Sequence, residues 1–209
     1  MKPIQNHTLI KSKQDLLRNY ILDRSESLFI AGGYQRTSMD MIARECGLSK
    51  PTLYNYFDSK YELFTSLYVR LCQGLYTATR ELLGQEKDKF RVLQDIVGLH
   101  FSLVNAKREF LKMYFREQHL VIHENIEEHM EWHMRSKKEM VDLLARFLKS
   151  IIRPDVRKNF GAEMVASTMF NIFDGLISDL LLRDEKEIAK QGKFLIHMLR
   201  NGVLAGQQR

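Results

Sequence analysis

Apolar residues recur three and four positions apart along almost the whole chain, and no stretch keeps a convincing period of two. The pattern predicts helices only. A first helix over residues 12–31, capped by Ser12 and Asp15, turns Leu16, Leu17, Tyr20, Ile21, Leu28 and Phe29 to the core and stops at Gly32-Gly33. Two short helices follow within residues 37–57. A long fourth helix starts near Ser59 and carries Leu63, Phe64, Leu67, Tyr68, Leu71, Cys72, Leu75 and Tyr76 in i, i+4 pairs. Residues 84–88 (GQEKD) make the clearest break. Beyond it the pattern predicts an apolar helix over 90–105, a short aromatic-rich element over 110–115, and a charged helix over 123–152 ended by Arg153-Pro154-Asp155. The last two helices fall at about 160–182 and 185–204.

The stretch 37–60, TSMDMIARECGLSKPTLYNYFDSK, is the most specific. Thr37 is read as an N-cap with Asp40 completing a capping box, and Met39, Ile42 and Ala43 give the helix one apolar face. Cys46-Gly47-Leu48 reads as a tight corner in which Gly47 supplies the positive φ. Ser49 caps the next helix, and Pro51 falls in its first turn, where a missing N–H costs little. Leu53 and Phe57 should face inward, which leaves Lys50, Thr52, Asn55 and Tyr56 outward. Ser59 and Glu62 form another capping box, and the helix start there, with Lys60, suggests an anion site. This is a helix-turn-helix layout whose second helix has the right size for the DNA major groove.

Residues 28–64 resemble the DNA-binding domain of the tetracycline-repressor (TetR) family of transcriptional regulators. The matching residues include Gly33-Tyr34, Thr37-Ser38-Met39, Ile42-Ala43, Gly47-Leu48-Ser49-Lys50, Thr52-Leu53-Tyr54, Tyr56-Phe57, Ser59-Lys60 and Leu63-Phe64. Pro51 and Tyr56 depart from the family pattern, which bears on the bases read. The resemblance implies an all-α protein: a three-helix helix-turn-helix DNA-binding domain at 1–60, then a helical bundle at 61–209 for effector binding and dimerisation. Lys50, Thr52, Asn55 and Tyr56 would approach base edges or flanking phosphates. Thr37, Ser38, Tyr54 and Lys60 would hold the sugar–phosphate backbone, with Ser49 at the helix start between the two groups.

Residues 160–182 are apolar on more than one face, so that helix must bury more than one stripe. In the resembling family the last two helices build a homodimeric four-helix bundle. A two-fold pair would set two readers in successive major grooves, roughly 34–36 Å apart, on a palindromic operator. The resemblance also implies a small apolar or aromatic effector between the central helices. Phe101, Tyr114, Phe115, Trp132, Met169 and Phe173 are the expected lining, and ten Met, most of them beyond residue 110, suit such a pocket. A regulator of this fold without an effector is the alternative.

Composition changes the picture little. The net charge is +6, and residues 1–60 hold nine Lys/Arg against six Asp/Glu, a density that suits a DNA-facing module. Cys46 and Cys72 imply no disulfide framework and read as small buried hydrophobes. The amino end shows no signal-peptide pattern, and the longest stretch without Asp, Glu, Lys or Arg, residues 96–106, is too short for a bilayer. A cytoplasmic protein with no membrane partner is expected. His119, His123, His129 and His133 contain two pairs spaced by four, which admits a metal-dependent helical enzyme. No histidine has Glu three residues before it, and no His-Glu-x-x-His occurs, so a solvated charged face is the favoured reading. No nucleophile is paired with a base, and the sequence proposes neither catalysis nor a cofactor.

Overall fold

A computed structural model of the chain describes residues 4–122, 126–183 and 188–204. Among these, nine helices and no strand occur: α1 (Ile4–Arg36), α2 (Met39–Glu45), α3 (Lys50–Tyr54), α4 (Lys60–Leu83), α5 (Lys89–Ala106), α6 (Arg108–Ile122), α7 (Ile126–Leu148), α8 (Pro154–Arg183) and α9 (Ile188–Gly202). The all-helical expectation holds. The element expected at 110–115 lies in the first half of the longer α6. Pro154 starts α8 instead of merely ending α7, as its fixed φ and missing N–H allow at a first turn. Helical geometry breaks inside α1 at Gly33 and inside α8 at Gly161.

The chain divides into two compact units, residues 1–72 with 113–124, and residues 73–112 with 125–209. This differs from the division at 60/61 expected from the sequence, because aromatic packing draws the start of α4 and the second half of α6 into the first unit. There Phe64 is fully buried. Its ring meets Phe29 edge-on at 5.1 Å, Tyr34 edge-on at 5.0 Å and Tyr114 face-on at 5.2 Å. Tyr68 stacks on Tyr114 at 4.3 Å. Burial pushes the Tyr114 phenol well above its ordinary range. Ile21 and Phe29 of α1 are buried as expected, but Leu16 is 67% exposed and Tyr20 is also exposed. The core under α1 begins only at Ile21, so the period read correctly but the stripe ran one turn too far.

In the second unit, Leu93, Met140, Leu144, Leu148, Met169 and Leu195 belong to one apolar core that joins α5, α7, α8 and α9. His100 sits buried within this unit. Its Nε2 shares a 3.0 Å hydrogen bond with the buried Thr79 hydroxyl, and its ring meets Phe173 edge-on at 4.8 Å. Burial lowers its pKa from 6.5 to about 4. The folded imidazole stays neutral while the unfolded one gains a proton below pH 6.5. Stability is therefore fully present above that value and is lost as pH falls toward about 4. At pH 5 the loss is about 2 kcal/mol relative to neutral pH. Urea unfolding at pH 7.5 and pH 5, followed by the fluorescence of the single Trp132, should show this loss in the wild type and a much smaller one in His100→Gln.

Candidate nucleic-acid interface

Local chemistry builds the helix-turn-helix. Ser38 caps α2, its Oγ accepting the Met41 N–H at 3.2 Å. Thr37 does not, which corrects the expected cap by one residue. Its side chain is instead 1% exposed and donates to the Gly33 carbonyl at 2.8 Å. Gly47 turns the corner at φ 66°, and the Leu48 N–H closes back on Ala43 O at 2.9 Å. Ser49 caps α3 as expected, with its Oγ accepting from the Thr52 N–H, and Pro51 lies in the first turn. Met39, Ile42, Ala43, Leu53 and Phe57 are buried beneath.

What remains outside is the expected reading face. Lys50, Tyr54 and Asn55 are exposed, while Thr52 and Tyr56 are half-buried. Lys50 Nζ lies 2.8 Å from an Asp40 carboxylate oxygen, and this pair raises the Lys50 pKa. Both groups are more than half exposed, so the pair is weak and a phosphate can compete for the ammonium. Thr52 and Ser49 share a 2.7 Å hydroxyl contact. A depression of about 460 Å³ beside α3 is lined by Thr52, Asn55 and Tyr56 together with Gln14, Asp15 and Arg18 of α1. The sequence singled out Asp15 only as a helix cap, and it did not place any of these α1 residues beside α3. Their proximity to α3 is a tertiary fact, and spacing alone carries no sign of it.

Arg18 ties the segment after α3 to α4. Its guanidinium donates to Tyr56 O at 2.5 Å, to Ser66 Oγ at 3.1 Å and to Glu62 Oε1 at 3.3 Å, and it lies 4.1 Å over the Phe57 ring. The Ser59–Glu62 box forms at the start of α4: the Glu62 N–H donates to Ser59 Oγ at 3.0 Å, and the Asp58 N–H donates to Glu62 Oε2 at 2.6 Å.

Lys60 is placed otherwise than expected. Its ammonium points inward and donates to Tyr34 O at 2.8 Å and Thr37 O at 3.0 Å, while lying 4.2 Å over the Tyr34 ring. Two carbonyls and a ring hold the charge in place, and a carboxylate stands at the same helix start. Lys60 thus ties the end of α1 to α4. Next to it, the Glu117 carboxylate accepts the Tyr34 N–H immediately after the break at Gly33.

Of the residues expected to line an effector pocket, two lie in the first unit and four in the second. Tyr114 and Phe115 belong to the aromatic cluster of the first unit. Met169 is in the core of the second, and Trp132 packs edge-on against His133 at 5.1 Å. Only Phe101 lines the cleft of about 620 Å³ between α5 and α9, with Phe173 edge-on behind it at 5.1 Å. The side chains of His119, His123 and His129 lie outside the described residues. No helix among the described residues is long and apolar enough to cross a membrane.

Residues 21–67 match the model of the family described as bacterial regulatory proteins, tetR family. The transcriptional activator FasR of Mycolicibacterium smegmatis is 28% identical over 107 residues, which span 51% of this chain and 49% of FasR. The chain thus covers about half the length of that relative. A crystal structure of a TetR-family regulator from Mesorhizobium loti superposes with a TM-score of 0.71 at 15% identity, over 92% of this chain and 98% of the other. The structure of a SmeT–triclosan complex gives 0.70 at 16% identity, over 92% and 93%. With the capped helix-turn-helix and its exposed polar face, these likenesses identify a DNA-binding transcriptional regulator, and residues 21–67 are its DNA-binding domain of the tetR-family type.

Proposed function

We propose that the protein is a homodimeric repressor that binds a near-palindromic operator through α3 and is released by a small molecule held in the second unit. The observation that carries the DNA reading is the short α3, buried through Leu53 and otherwise presenting Lys50, Thr52, Tyr54 and Asn55 outward. Asn55 and Thr52 are suited to base edges and Lys50 and Tyr54 to phosphates, and the exposed Ser38 and Ser49 stand at the starts of α2 and α3. Thr37 and Lys60 act indirectly, by fixing the frame on which α3 stands.

Dimerisation is supported by apolar side chains left exposed on the last two helices. Phe160, Met164 and Ile172 of α8 and Phe194 and Met198 of α9 remain open to solvent, Met164 to 57% and Phe194 to 56%. Exposed stripes of this kind mark interaction surfaces. The SmeT–triclosan complex supports a small apolar or aromatic effector. Release would follow if the effector favoured a dimer whose two reading helices no longer match the groove spacing. The continuous α4 is the element that would carry such a change.

Selection of bound duplexes from a random pool tests this reading. It should return a two-fold-symmetric site, and recovery of no preferred site would overturn it. In the same assay Asn55→Ala should relax base choice at one position per half-site, at a cost of about 1–3 kcal/mol. An unchanged sequence preference removes Asn55 from the reading face.

A further inference from the structure

The cleft between α5 and α9 has an uneven chemistry. Its floor is apolar: Phe90, Val97 and Phe101 from α5 and Ile196 from α9. Two glycines keep it open. A Cβ on Gly98 would meet nothing within 4 Å, so that wall is simply missing a side chain. A Cβ on Gly192 would come within 2.9 Å of the Phe101 ring, so α9 has no side chain where the ring lies.

The rim carries two cations. Lys193 and Arg200, with His197 between them, recur at i, i+4 and i+7 on α9 and all three border the cleft. No Asp or Glu is among its lining residues. The Arg200 guanidinium lies 5.0 Å over the Phe90 ring, at the junction of floor and rim. Among the described residues neither Lys193 nor Arg200 has an acidic partner. A volume of about 620 Å³ lies within the usual range for a small-molecule site. Phe194 and Met198 each stand one residue beyond Lys193 and His197, about 100° further round the helix, so the cleft and the proposed dimer face use different sides of α9.

We infer that this cleft binds an amphipathic anion, its apolar body along Phe90, Val97, Phe101 and Ile196 and its acidic head against Lys193 and Arg200. Gln94, Ser102 and Asn105 border the same space and supply neutral hydrogen-bonding groups for the head. Paired guanidinium and ammonium groups favour a carboxylate, sulfonate or phosphate, and they disfavour a cationic head on the same chain. The inference rests on the small-molecule-responsive reading above, and it adds a place and a ligand class.

Calorimetric titration of the DNA-free protein tests it, with decanoate, 1-decanol and decyltrimethylammonium as probes below their aggregation limits. Decanoate should bind about tenfold more tightly than decanol, and decyltrimethylammonium least. The double variant Lys193→Gln, Arg200→Gln should erase the preference for decanoate over decanol. Gly98→Leu fills the open wall with a good helix former, and it should abolish binding of decanoate and decanol with no loss in melting temperature. Equal affinity for the three probes, or decanoate binding that survives Gly98→Leu, overturns the inference. Operator release is measured separately. Decanoate bound without release leaves the cleft standing and removes it as the effector site. Release by another small molecule, with no binding at the cleft, does the reverse.

Discussion

Phe64→Ala is expected to cost about 3–5 kcal/mol of stability in the first unit and to abolish DNA binding with it. The ring is fully buried and touches three other aromatic rings, those of Phe29, Tyr34 and Tyr114, drawn from α1 and α6. Removing it leaves a cavity that three rigid rings cannot fill by small adjustments, and the edge-on and stacked contacts go as well. The same rings fix the end of α1 and the start of α4, on which the helix-turn-helix stands. Because Trp132 lies in the second unit, its fluorescence should still report a folded signal at urea concentrations where tyrosine signals and helix content fall. A loss below about 1 kcal/mol would mean that the aromatic cluster is looser than these contacts imply.

Gly33→Ala should cost about 2–4 kcal/mol, through a mechanism unrelated to volume. Gly33 has φ 72° and ψ 171°, a backbone region essentially restricted to glycine. A Cβ there would also stand 2.6 Å from Glu117 Oε1, the side chain that accepts the next amide, that of Tyr34. The chain must therefore both strain its backbone and displace a carboxylate that is only 13% exposed. Gly32→Ala is the control. It has no positive φ, and its Cβ would meet only the Thr37 hydroxyl at 3.2 Å, so its effect should be far smaller. Thermal melting of the two variants side by side separates backbone strain from mere loss of a glycine, and equal melting temperatures would refute the strain argument.

The two substitutions act on neighbouring parts of one assembly. Glu117 receives Tyr34 N–H, Lys60 donates to Tyr34 O, and the Tyr34 ring packs on Phe64. Tyr34 is thus held at its amide, its carbonyl and its ring. The functional consequence is rigidity. A reading helix of five residues has little stability of its own, and its placement depends on the frame behind it.

The features legible without coordinates were local ones. Gly47 at the corner, Ser49 before Pro51, the Ser59–Glu62 box and the inward Leu53 and Phe57 each depend on residues at most four apart, where helix geometry fixes who meets whom. The exposed set on α3 followed from the same period. The expected cap at Thr37 missed by one residue because Thr37 and Ser38 are both good caps, and burial of the first, bonded to Gly33 O, decided between them.

Tertiary packing alone decided the rest. Lys60 reads as a phosphate contact until α1 delivers two carbonyls and a ring to its ammonium. Tyr114 and Phe115 join the aromatic cluster of the first unit through α6, and the cleft in the second unit depends on glycines and cations brought together from α5 and α9. Sequence therefore determined the helices, the corner and the chemistry of the exposed face of α3, because those obey short-range periodicity. Which side of each remaining helix is covered, and by whom, was settled only when distant helices packed, because burial is a property of neighbours that spacing along one chain does not encode.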